Sequence, residues 1–390
     1  MKPKIRFSSS NILYEEKTLS EISTINPKTN VPLEFEYVDL ESVSGTEMTN
    51  HRTEHKATAP SRAQRLAKKG DIFYQTVRPY QKNNYYFDMD DDNYVFSTGY
   101  AQIRPSIYGK YLFTLLQNDS FLKQVLDNCA GTSFPAINPS VLSRLSVRIC
   151  KDKQEQQAIA SYFTSLDSQI SASTSRLASL KQMKAASLQA MFPQEGETVP
   201  KIRFKGFEGE WKKVKLGKLF SERIENNVDG EMLSVTMNNG IIKAAENGRF
   251  DNSNSDKSKY KVVKVGDIAY NSMRMWQGAS GCSQYEGIVS PAYTVVVPNA
   301  NIHSLFFAYL FKTIPMINLF RLHSQGLTKD TWNLKYPAFS IIEVSYPESK
   351  AEQQAIASYF TSLDRQISLQ SQRLEKLKQI KSACLDKMFV

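Results

Sequence analysis

The sequence predicts an α/β (α+β) protein made of two copies of one unit, each a globular domain with a twisted, mostly antiparallel sheet followed by a long helix. Three observations predict this fold class. A helical segment occurs twice, a short motif precedes each domain at the same spacing, and both domains contain a Gly-Asp strand motif. The long helices are expected to lie antiparallel in a coiled coil, which gives an internal tandem repeat with pseudo-two-fold symmetry.

The repeated helix is the clearest of these signals. KQEQQAIASYFTSLDSQI begins at Lys153 and returns as KAEQQAIASYFTSLDRQI from Lys350. Neither copy contains Pro or Gly before Met191 or Met388, so each predicts one unbroken helix. At the rise of an α-helix, each copy should be about 60 Å long.

Apolar residues recur at intervals of four and three, the spacing of a heptad seam, with one gap that Ser173 fills in the first copy. The predicted seam residues are Ile159, Phe163, Leu166, Ile170 and Leu177 in the first helix and Ile356, Phe360, Leu363, Ile367 and Leu374 in the second. Tyr162 and Tyr359 lie off this stripe and are predicted to face outward and bind partner helices. The alternative is an internal coiled coil with no partner beyond itself.

The motif PKIRF extends the repeat over the whole chain. It starts at Pro3 and again at Pro200, and both 200 − 3 and 350 − 153 give an offset of 197. The predicted organisation is a first domain over residues 1–150, a helix over 151–193, a second domain over 194–347 and a helix over 348–390.

Composition limits the classes of function. The 390 residues, 41% of them hydrophobic, suit two or three globular domains. A net charge of +10 favours a polyanionic partner. We find no apolar run long enough to span a bilayer and no secretory signal, and the four cysteines form no CxxC pair, so a cytoplasmic protein without membrane contact is predicted.

The strand motif is GDIFYQTVR at residues 70–78 and GDIAYNSMR at residues 266–274. With a period of two, one face carries Ile72, Tyr74, Thr76 and Arg78, and the other copy carries Ile268, Tyr270, Ser272 and Arg274. Each domain then has a helical run, over residues 108–126 and 303–321, and Pro315 should break or kink the second.

The helices stayed nearly identical while the domains diverged. This contrast indicates that the helices bind two copies of the same partner, whereas the domains bind different ligands. For a basic protein, DNA with two unlike half-sites fits this pattern.

On these features the chain resembles the specificity subunit of a type I restriction-modification enzyme. The resemblance rests on the paired EQQAIASYFTSLDxQI helices, on the PKIRF-to-LGKLF segments (weaker, as YEEKTLSEI, in the first copy) and on the GDIxY strands. It covers essentially the full length, and the duplicated helix is its specific part.

The resemblance implies two target recognition domains, each of which reads one half of a bipartite site in double-stranded DNA. It implies two long helices that space the domains and dock two methyltransferase subunits, joined by two restriction subunits. S-adenosylmethionine would bind the methyltransferase and ATP with Mg the restriction subunit, with no cofactor on this chain, which would not be catalytic. Helix length would then set the unread gap between half-sites.

Basic residues are the first candidates for DNA contact. In the first domain they are Arg52, Lys56, Arg62, Arg65, Lys68 and Lys69, within a stretch that we interpret as a phosphate-binding loop. In the second domain the matching stretch is less dense and offers Lys261 and Lys264. The alternative is a basic loop that only faces solvent.

The strand motif supplies further candidates. Arg78 and Arg274 can bind a base or a phosphate, and Gln75 and Asn271 can bind adenine or only satisfy backbone groups. The candidates for DNA contact also include their neighbours in the motif, Tyr74, Thr76, Tyr270 and Ser272. Thr132 and Ser133 after Gly131, and Thr328 and Lys329 after Gly326, suit loops that approach a phosphate, although an ordinary turn has the same composition.

Catalysis on this chain is not predicted. The stretch from His51 to His55 matches the HxxEH pattern of inverted zinc peptidases, but it lies in a polar segment close to Pro60, so no metal site is expected. No GxxxxGK[ST] loop occurs. The competing class is a coiled-coil adaptor with two protein-binding domains, and the salt dependence of binding would separate the two.

Overall fold

A computed structural model describes residues 3–7, 14–237, 239–247 and 256–389. The chain divides into two compact units. The first is Met1–Thr174 with Gln372–Val390, and the second is Ser175–Ser371. Both divisions fall inside the long helices, so each unit holds one globular domain, the first part of the helix that follows it and the last part of the other long helix.

The described part of the first unit contains short strands, with one short helix after β1 and the other helices after β11. The strands are β1 (Tyr14–Thr18), β2 (Ser23–Ile25), β3 (Glu34–Val38), β4 (Val43–Ser44), β5 (Glu47–Met48), β6 (Arg52–His55), β7 (Ala63–Leu66), β8 (Ile72–Gln75), β9 (Tyr85–Tyr86), β10 (Tyr94–Ser97), β11 (Tyr100–Pro105) and β12 (Ser146–Cys150). The helices are α1 (Leu19–Ile22), α2 (Gly109–Leu115), α3 (Asp119–Asp127), α4 (Pro139–Leu142) and α5 (Lys153–Ala190).

Two four-stranded sheets form the first domain. Their strand orders are β6-β3-β10-β7 and β2-β11-β8-β9, while β1 pairs with β12 and β4 with β5. Among the described strands only β3 and β10 pair in parallel, and one isolated bridge, Met232 to Ile288, is also parallel, so the prediction of mostly antiparallel sheets is confirmed. Between the sheets, Phe73 of β8 stacks on Phe96 of β10 with ring centroids 3.6 Å apart.

The second unit repeats the plan, with two-stranded pairs in place of one of the four-stranded sheets. Its strands are β13 (Lys212–Lys215), β14 (Phe220–Glu222), β15 (Leu233–Thr236), β16 (Gly240–Lys243), β17 (Lys261–Val263), β18 (Ile268–Asn271), β19 (Ser280–Cys282), β20 (Gly287–Val289), β21 (Tyr293–Pro298) and β22 (Glu343–Tyr346). Its helices are α6 (Ser304–Leu310), α7 (Ile314–His323), α8 (Tyr336–Ser340) and α9 (Lys350–Met388). The order β14-β21-β18-β19 forms one sheet, and β13-β22, β15-β16 and β17-β20 form antiparallel pairs.

The Gly-Asp turn before β8 and β18 has a structural explanation. Gly70 and Gly266 have φ of 94° and 90°, in the left-handed region that favours glycine. The buried carboxylate of Asp71 accepts hydrogen bonds from Arg104 Nε (2.7 Å) and Nη2 (2.8 Å). Asp267 is held in the same way by Arg223, at 2.7 and 2.9 Å. The Asp of the motif therefore closes a buried ion pair in each domain.

The helical run of each domain is two helices. Pro315 lies in the first turn of α7, so the expected break in the second domain is confirmed. The run over residues 108–126 is also divided, because α2 ends at Leu115 and α3 begins at Asp119. Asn118 then caps α3, its Oδ1 accepting a hydrogen bond from Ser120 N at 2.7 Å.

The long helices pair antiparallel inside each unit, as predicted. In the first unit, Tyr162 of α5 contacts Cys384 of α9, and Asp167 binds Lys381 at 2.5 Å. Residue numbers thus rise along one helix as they fall along the other. In the second unit, Lys184 binds Asp364 at 2.6 Å, by the same opposite course.

The first seam residues of each long helix belong to the hydrophobic core of a domain. Ile159, Phe163 and Leu166 are buried with domain residues and with Leu385 and Phe389 from the end of α9. Ile356, Phe360 and Leu363 are buried likewise in the second unit with the end of α5. Ile170, Leu177, Ile367 and Leu374, nearer the helix centres, are only half-buried. The heptad stripe is therefore covered by a domain and a helix end together.

Tyr162 and Tyr359 do not face outward freely, which corrects the expectation for them. The Tyr162 ring lies 5.5 Å from that of Phe7, and its hydroxyl contacts Cys384 Sγ at 3.5 Å. Tyr359 packs on Phe204 and shares a 2.9 Å hydrogen bond with Ser187. Both side chains are therefore in contact with other residues of the same chain.

The PKIRF segments fasten the start of one helix to the end of the other. Ile5 N donates to Lys387 O at 3.1 Å, and Ile202 N donates to Ala190 O at 2.8 Å. The Arg of each segment binds a buried Glu: Arg6 binds Glu155, and Arg203 binds Glu352 at 2.7 Å. We call these two ion pairs the clasps. They explain why the short motif occurs twice.

Among the described residues, no single helix is both long and apolar enough to cross a membrane. The bent pair α6 and α7, which meet at 82°, satisfies the length and composition requirement only when the two are taken together.

Candidate DNA interface

In both domains, the loop after the Gly-Asp strand lies beside the loop after the helical run. Ile137 N donates to Thr76 O at 3.0 Å, and Leu334 N donates to Ser272 O at 2.8 Å, so the same backbone bond joins the loops in each domain. In the first domain Arg78 N also donates to Pro135 O at 2.8 Å. The two sets of loop candidates thus come together on one surface of each domain.

The strands are shorter than their pattern predicted. β8 ends at Gln75 and β18 at Asn271, so the alternation of faces does not reach Arg78 or Arg274. Gln75 is 1% exposed and uses its amide internally: Nε2 donates to Val77 O at 2.8 Å, and Oε1 accepts from Asn83 N at 3.1 Å. This arrangement favours the alternative in which Gln75 satisfies backbone groups.

Four other candidates from the strand motif lie in the interior, two on the strands and two directly after them. Tyr74, Thr76, Tyr270 and Ser272 are buried, and desolvation raises the pKa of both tyrosines. Thr76 Oγ1 donates to Gly99 O at 2.7 Å, and the Ser272 hydroxyl shares a 2.8 Å hydrogen bond with Thr294. Because these strands are covered on both faces, the four residues support the loops from beneath and do not form the surface. This corrects the expectation of direct contact.

In the first domain, Arg78 and an aromatic ring form the centre of the surface. The Arg78 guanidinium lies 4.3 Å from the centroid of the Phe134 ring, and Phe134 is 60% exposed. Thr132, Ser133 and Tyr80 are exposed beside them. Sequence reasoning missed Phe134, although it directly follows the Ser133 that was selected.

The second domain builds the same surface from other residues. Arg274 is exposed, and Trp276 and Trp332 make an edge-to-face pair with centroids 5.4 Å apart. Leu327 is fully exposed, with Thr328 and Lys329 exposed after it. Sequence reasoning missed both tryptophans. The sequence contained a signal for them, since two of its three Trp residues lie within three residues of the candidates Arg274 and Lys329.

Asn271 differs from its counterpart Gln75 because it is half-exposed at the edge of this surface. Its Oδ1 accepts a hydrogen bond from Met273 N at 3.0 Å. Among the described residues none accepts a hydrogen bond from its side-chain NH₂, which leaves those donors available at the surface.

The basic stretch of the first domain is not one loop, contrary to expectation. It contains β6 and β7, which are the two opposite edges of one sheet. Arg52 on β6 binds Asp39 at 2.7 Å and Glu54 at 2.8 Å, and Lys69 binds Asp90 at 2.7 Å. Much of the charge of these two residues is thereby balanced.

The other basic candidates of the stretch are less engaged. Lys56 Nζ donates to the carbonyl of Val31 at 3.1 Å. Arg62 and Lys68 are exposed, and in the described part of the chain neither forms an ion pair. Arg65 is half-buried, and burial lowers its pKa. Arg62, Arg65 and Lys68 lie on or beside β7, so the available charge is gathered at that edge.

In the second domain, Lys261 binds Glu222 at 3.5 Å and Lys264 binds Glu225 at 3.1 Å. The sequence placed both lysines in a basic stretch, but the structure gives each an acidic neighbour. The second surface is therefore less positive at this place than the first.

The zinc peptidase pattern has no support in the geometry. His51 to His55 includes strand β6, whereas the HxxEH pattern requires a helix. His51 lies 2.7 Å from Glu36 and His55 3.4 Å from Glu34, so each His faces a different carboxylate. Across the described ranges, no three His, Cys, Asp or Glu residues are grouped to hold a metal ion.

Comparison with known proteins gives the same repeat. The family described as type I restriction modification DNA specificity domain matches residues 11–182 and again residues 208–379. The type I restriction enzyme HindI specificity subunit of Haemophilus influenzae is 34% identical over 139 residues, which is 34% of this chain. The match spans only 30% of the length of that relative.

Solved structures resemble the whole fold. The type I restriction-modification system S subunit from M. genitalium matches with a TM-score of 0.63 at 15% identity, over 100% of this chain and 99% of that one. A chain from a study of complex assembly and conformational transition of the type I R-M system matches with a TM-score of 0.55 at 19% identity, over 97% and 98%.

Proposed function

This chain belongs to the type I restriction modification DNA specificity family, and from that premise we propose that it recognises a bipartite DNA target, one half-site per domain. Specificity subunits of this kind are non-catalytic, bind DNA and assemble with the other subunits of their system. The observation that supports the bipartite target is the pair of unlike loop surfaces at the same position of two homologous domains.

The contacts with DNA are proposed to come from the paired loops and the β7 edge. In the first domain these are Arg78, Thr132 and Ser133 with Arg62, Arg65 and Lys68. In the second they are Asn271, Arg274, Thr328 and Lys329. Exposed cations supply the salt-dependent attraction to phosphates, and unlike side chains on the loops supply different base preferences.

Two methyltransferase subunits are proposed to dock on the long helices. The exposed face of α5 carries Gln157, Ser161, Thr164, Ser165 and Gln169, and α9 carries the same residue types at Gln354, Ser358, Thr361, Ser362 and Gln366. Burial explains why seam residues match between the copies, but it does not explain identity at exposed positions. Two copies of one partner would preserve it.

The first of these faces borders a groove of about 400 Å³ that Tyr108 and Lys110 also line. This face lies next to Tyr162 in sequence. We propose that it contacts the methyltransferase in place of Tyr162, which packs against its own chain. S-adenosylmethionine would be bound by the methyltransferase, and ATP with Mg by restriction subunits, of which two would complete the assembly.

The decisive experiment is a genome-wide map of methylated adenines in cells that express the chain with its cognate methyltransferase. We expect one bipartite motif with a constant unread gap. Exchange of residues 198–347 for those of a relative with another specificity should change one half of the motif only. A single continuous motif would contradict the proposal.

A change of helix length tests the role of the helices. Insertion of seven residues after Thr174 and seven after Ser371 preserves the heptad phase and lengthens each helix by about 10 Å. Since base pairs are spaced by about 3.4 Å, the gap should grow by about 3 base pairs with both half-sites unchanged. Seven alanine substitutions at exposed helix positions are the matched control and should leave the gap unchanged.

The adaptor alternative makes a different prediction. Binding through several phosphate contacts should weaken about a thousandfold between 50 and 200 mM salt, whereas apolar docking of another protein should not. If methylation of a bipartite motif is absent while the methyltransferase is active, and salt leaves binding unchanged, the adaptor role replaces the one proposed.

A further inference from the structure

We infer that Arg78 reads a guanine in the first half-site and that Phe134 is the positioning residue that orients its guanidinium. This inference rests on the proposed function, because it identifies the base that the first domain selects. The observation behind it is a cation held by an aromatic ring, without a carboxylate, at the centre of the proposed interface.

The stacking fixes Arg78 without using its hydrogen-bond donors. The guanidinium lies 4.3 Å from the centroid of the Phe134 ring, and no ion pair or side-chain hydrogen bond of Arg78 occurs in the described chain. By contrast, Arg52, Arg104 and Lys82 of the same unit are each bound to an acidic group. Arg78 therefore keeps a planar set of N–H donors for an external ligand.

The backbone of Arg78 supports a functional reason for this residue. Its φ and ψ are both 54°, in the left-handed region that costs free energy for any residue with a Cβ. Glycine would adopt this conformation more readily, yet an arginine is present. Strained positions of this kind are found at functional sites, where the side chain is needed.

The second domain shows that the fold does not require this arrangement. Its counterpart Arg274 has φ of −127°, outside the left-handed region, and no described aromatic ring lies under its guanidinium. Trp276 and Trp332 pack on each other instead. The backbone bond that joins the two loops is retained without the strained arginine.

Guanine is the base that suits these donors. It presents two acceptors, O6 and N7, side by side in the major groove, and a planar guanidinium can donate to both at once. A phosphate could also accept two hydrogen bonds, but it carries no sequence information. The two contacts are separable by experiment.

The test begins with the methylation map of Arg78→Ala, Arg78→Gly and Phe134→Leu in the complete complex. Both Arg78 variants should relax one guanine of the first half-site and leave the second half-site unchanged. Arg78→Gly should unfold at no lower temperature than the wild type, since glycine relieves the left-handed conformation. Phe134→Leu should relax the same guanine less. The matched control Arg274→Ala should leave the first half-site unchanged.

A binding measurement then separates base from phosphate. Replacing the assigned guanine by 7-deazaguanine removes the N7 acceptor, and the wild-type complex should lose affinity by about tenfold or more. Arg78→Gly should bind both duplexes equally. If instead this variant weakens binding to all sequences alike and lowers the salt slope by about one, Arg78 contacts a phosphate and the inference is overturned.

The map also separates failure of the inference from failure of the proposed function. A bipartite wild-type motif without guanine in the half assigned to the first domain would overturn the role of Arg78 and leave the proposed function intact. Absence of any bipartite motif for the wild type would reject both.

Discussion

The two globular domains make equivalent connections with different residues. The buried Asp71 is bound by Arg104 from β11, whereas Asp267 is bound by Arg223, which follows β14. A second link is reversed. Gln117 and Lys312 each lie two residues after the first short helix of their domain's helical run, and Lys82 and Gly278 each lie four residues after the Arg of the strand motif. Lys82 donates to Gln117 O at 3.0 Å, whereas Lys312 donates to the carbonyl of Gly278. In both cases the two domains retain an interaction between the same parts of the fold, but a different residue makes it.

The clasps behave in the opposite way. Arg6 with Glu155 and Arg203 with Glu352 are the same residues at the same offset. They adjoin the first halves of the helices, whose exposed faces are also nearly identical. The proposed function accounts for this difference: regions proposed to bind a common partner kept their residues, while regions proposed to bind different half-sites kept only the physical connections of the fold.

The clasps should give the largest effects. Glu352→Ala leaves Arg203 without its buried partner and should destabilise the second unit by about 3–5 kcal/mol. Glu155→Ala should cost the first unit a similar amount. Urea unfolding followed by hydrogen exchange would assign each loss to a unit. Glu348→Ala, which breaks an exposed pair with Lys212, is the control and should cost under about 0.5 kcal/mol. Equal effects of Glu348 and Glu352 would refute the structural role of the clasp.

The Asp–Arg pairs come next. A double-mutant cycle of Asp71→Asn with Arg104→Gln should give a coupling free energy of about 1–3 kcal/mol, and Asp267→Asn with Arg223→Gln should give the same. The cross pair Asp71→Asn with Arg223→Gln, drawn from separate units, should be additive within about 0.5 kcal/mol. A coupling free energy below about 0.5 kcal/mol in both Asp–Arg pairs would mean that these ion pairs do not stabilise their domains.

Lys312 should make the stability of the second unit depend on pH. Burial lowers the pKa of its ammonium from 10.5 to about 8. Above pH 8 the folded chain has lost this proton and the unfolded chain still holds it, so the contribution of Lys312 to stability rises with pH up to about 10.5. The measurement is the free energy of unfolding of the wild type minus that of Lys312→Gln at pH 7.5 and 9.5.

This difference should increase by about 2 kcal/mol between the two pH values. Lys218→Gln, at an exposed lysine of the same unit, is the control and should show no such increase. A flat difference for Lys312→Gln would mean that the ammonium is not desolvated.

The smallest effects should come from the helix tyrosines. Tyr359→Phe removes a 2.9 Å hydroxyl contact with Ser187 and should cost about 1 kcal/mol. Tyr162→Phe removes a 3.5 Å contact with Cys384 Sγ, a weaker partner, and should cost less than about 0.5 kcal/mol. Thermal unfolding of the two variants would compare them. If both variants bind the methyltransferase like the wild type, partner contact belongs to other residues of the helices.

The sequence by itself determined the duplicated organisation, the long helices, the antiparallel character of the sheets and the family. These follow from local or repetitive signals: a heptad pattern with one gap and without Pro or Gly, a constant offset between the repeated motifs, and the Gly-Asp strand motif. Residues from Ile159 to Leu166 could be assigned to a seam because period alone shows which positions share a helix face.

Only the tertiary structure decided which candidates reach the surface. Tyr74 and Tyr270 belong to the best strand motif but are buried, because helices distant in sequence pack on the face that carries them and a second layer of strands covers the other face. Phe134 lies 56 residues beyond Arg78 (134 − 78), and the backbone hydrogen bonds between their loops bring them into contact. Such contacts depend on long-range packing, which periodicity and composition along the chain do not reveal.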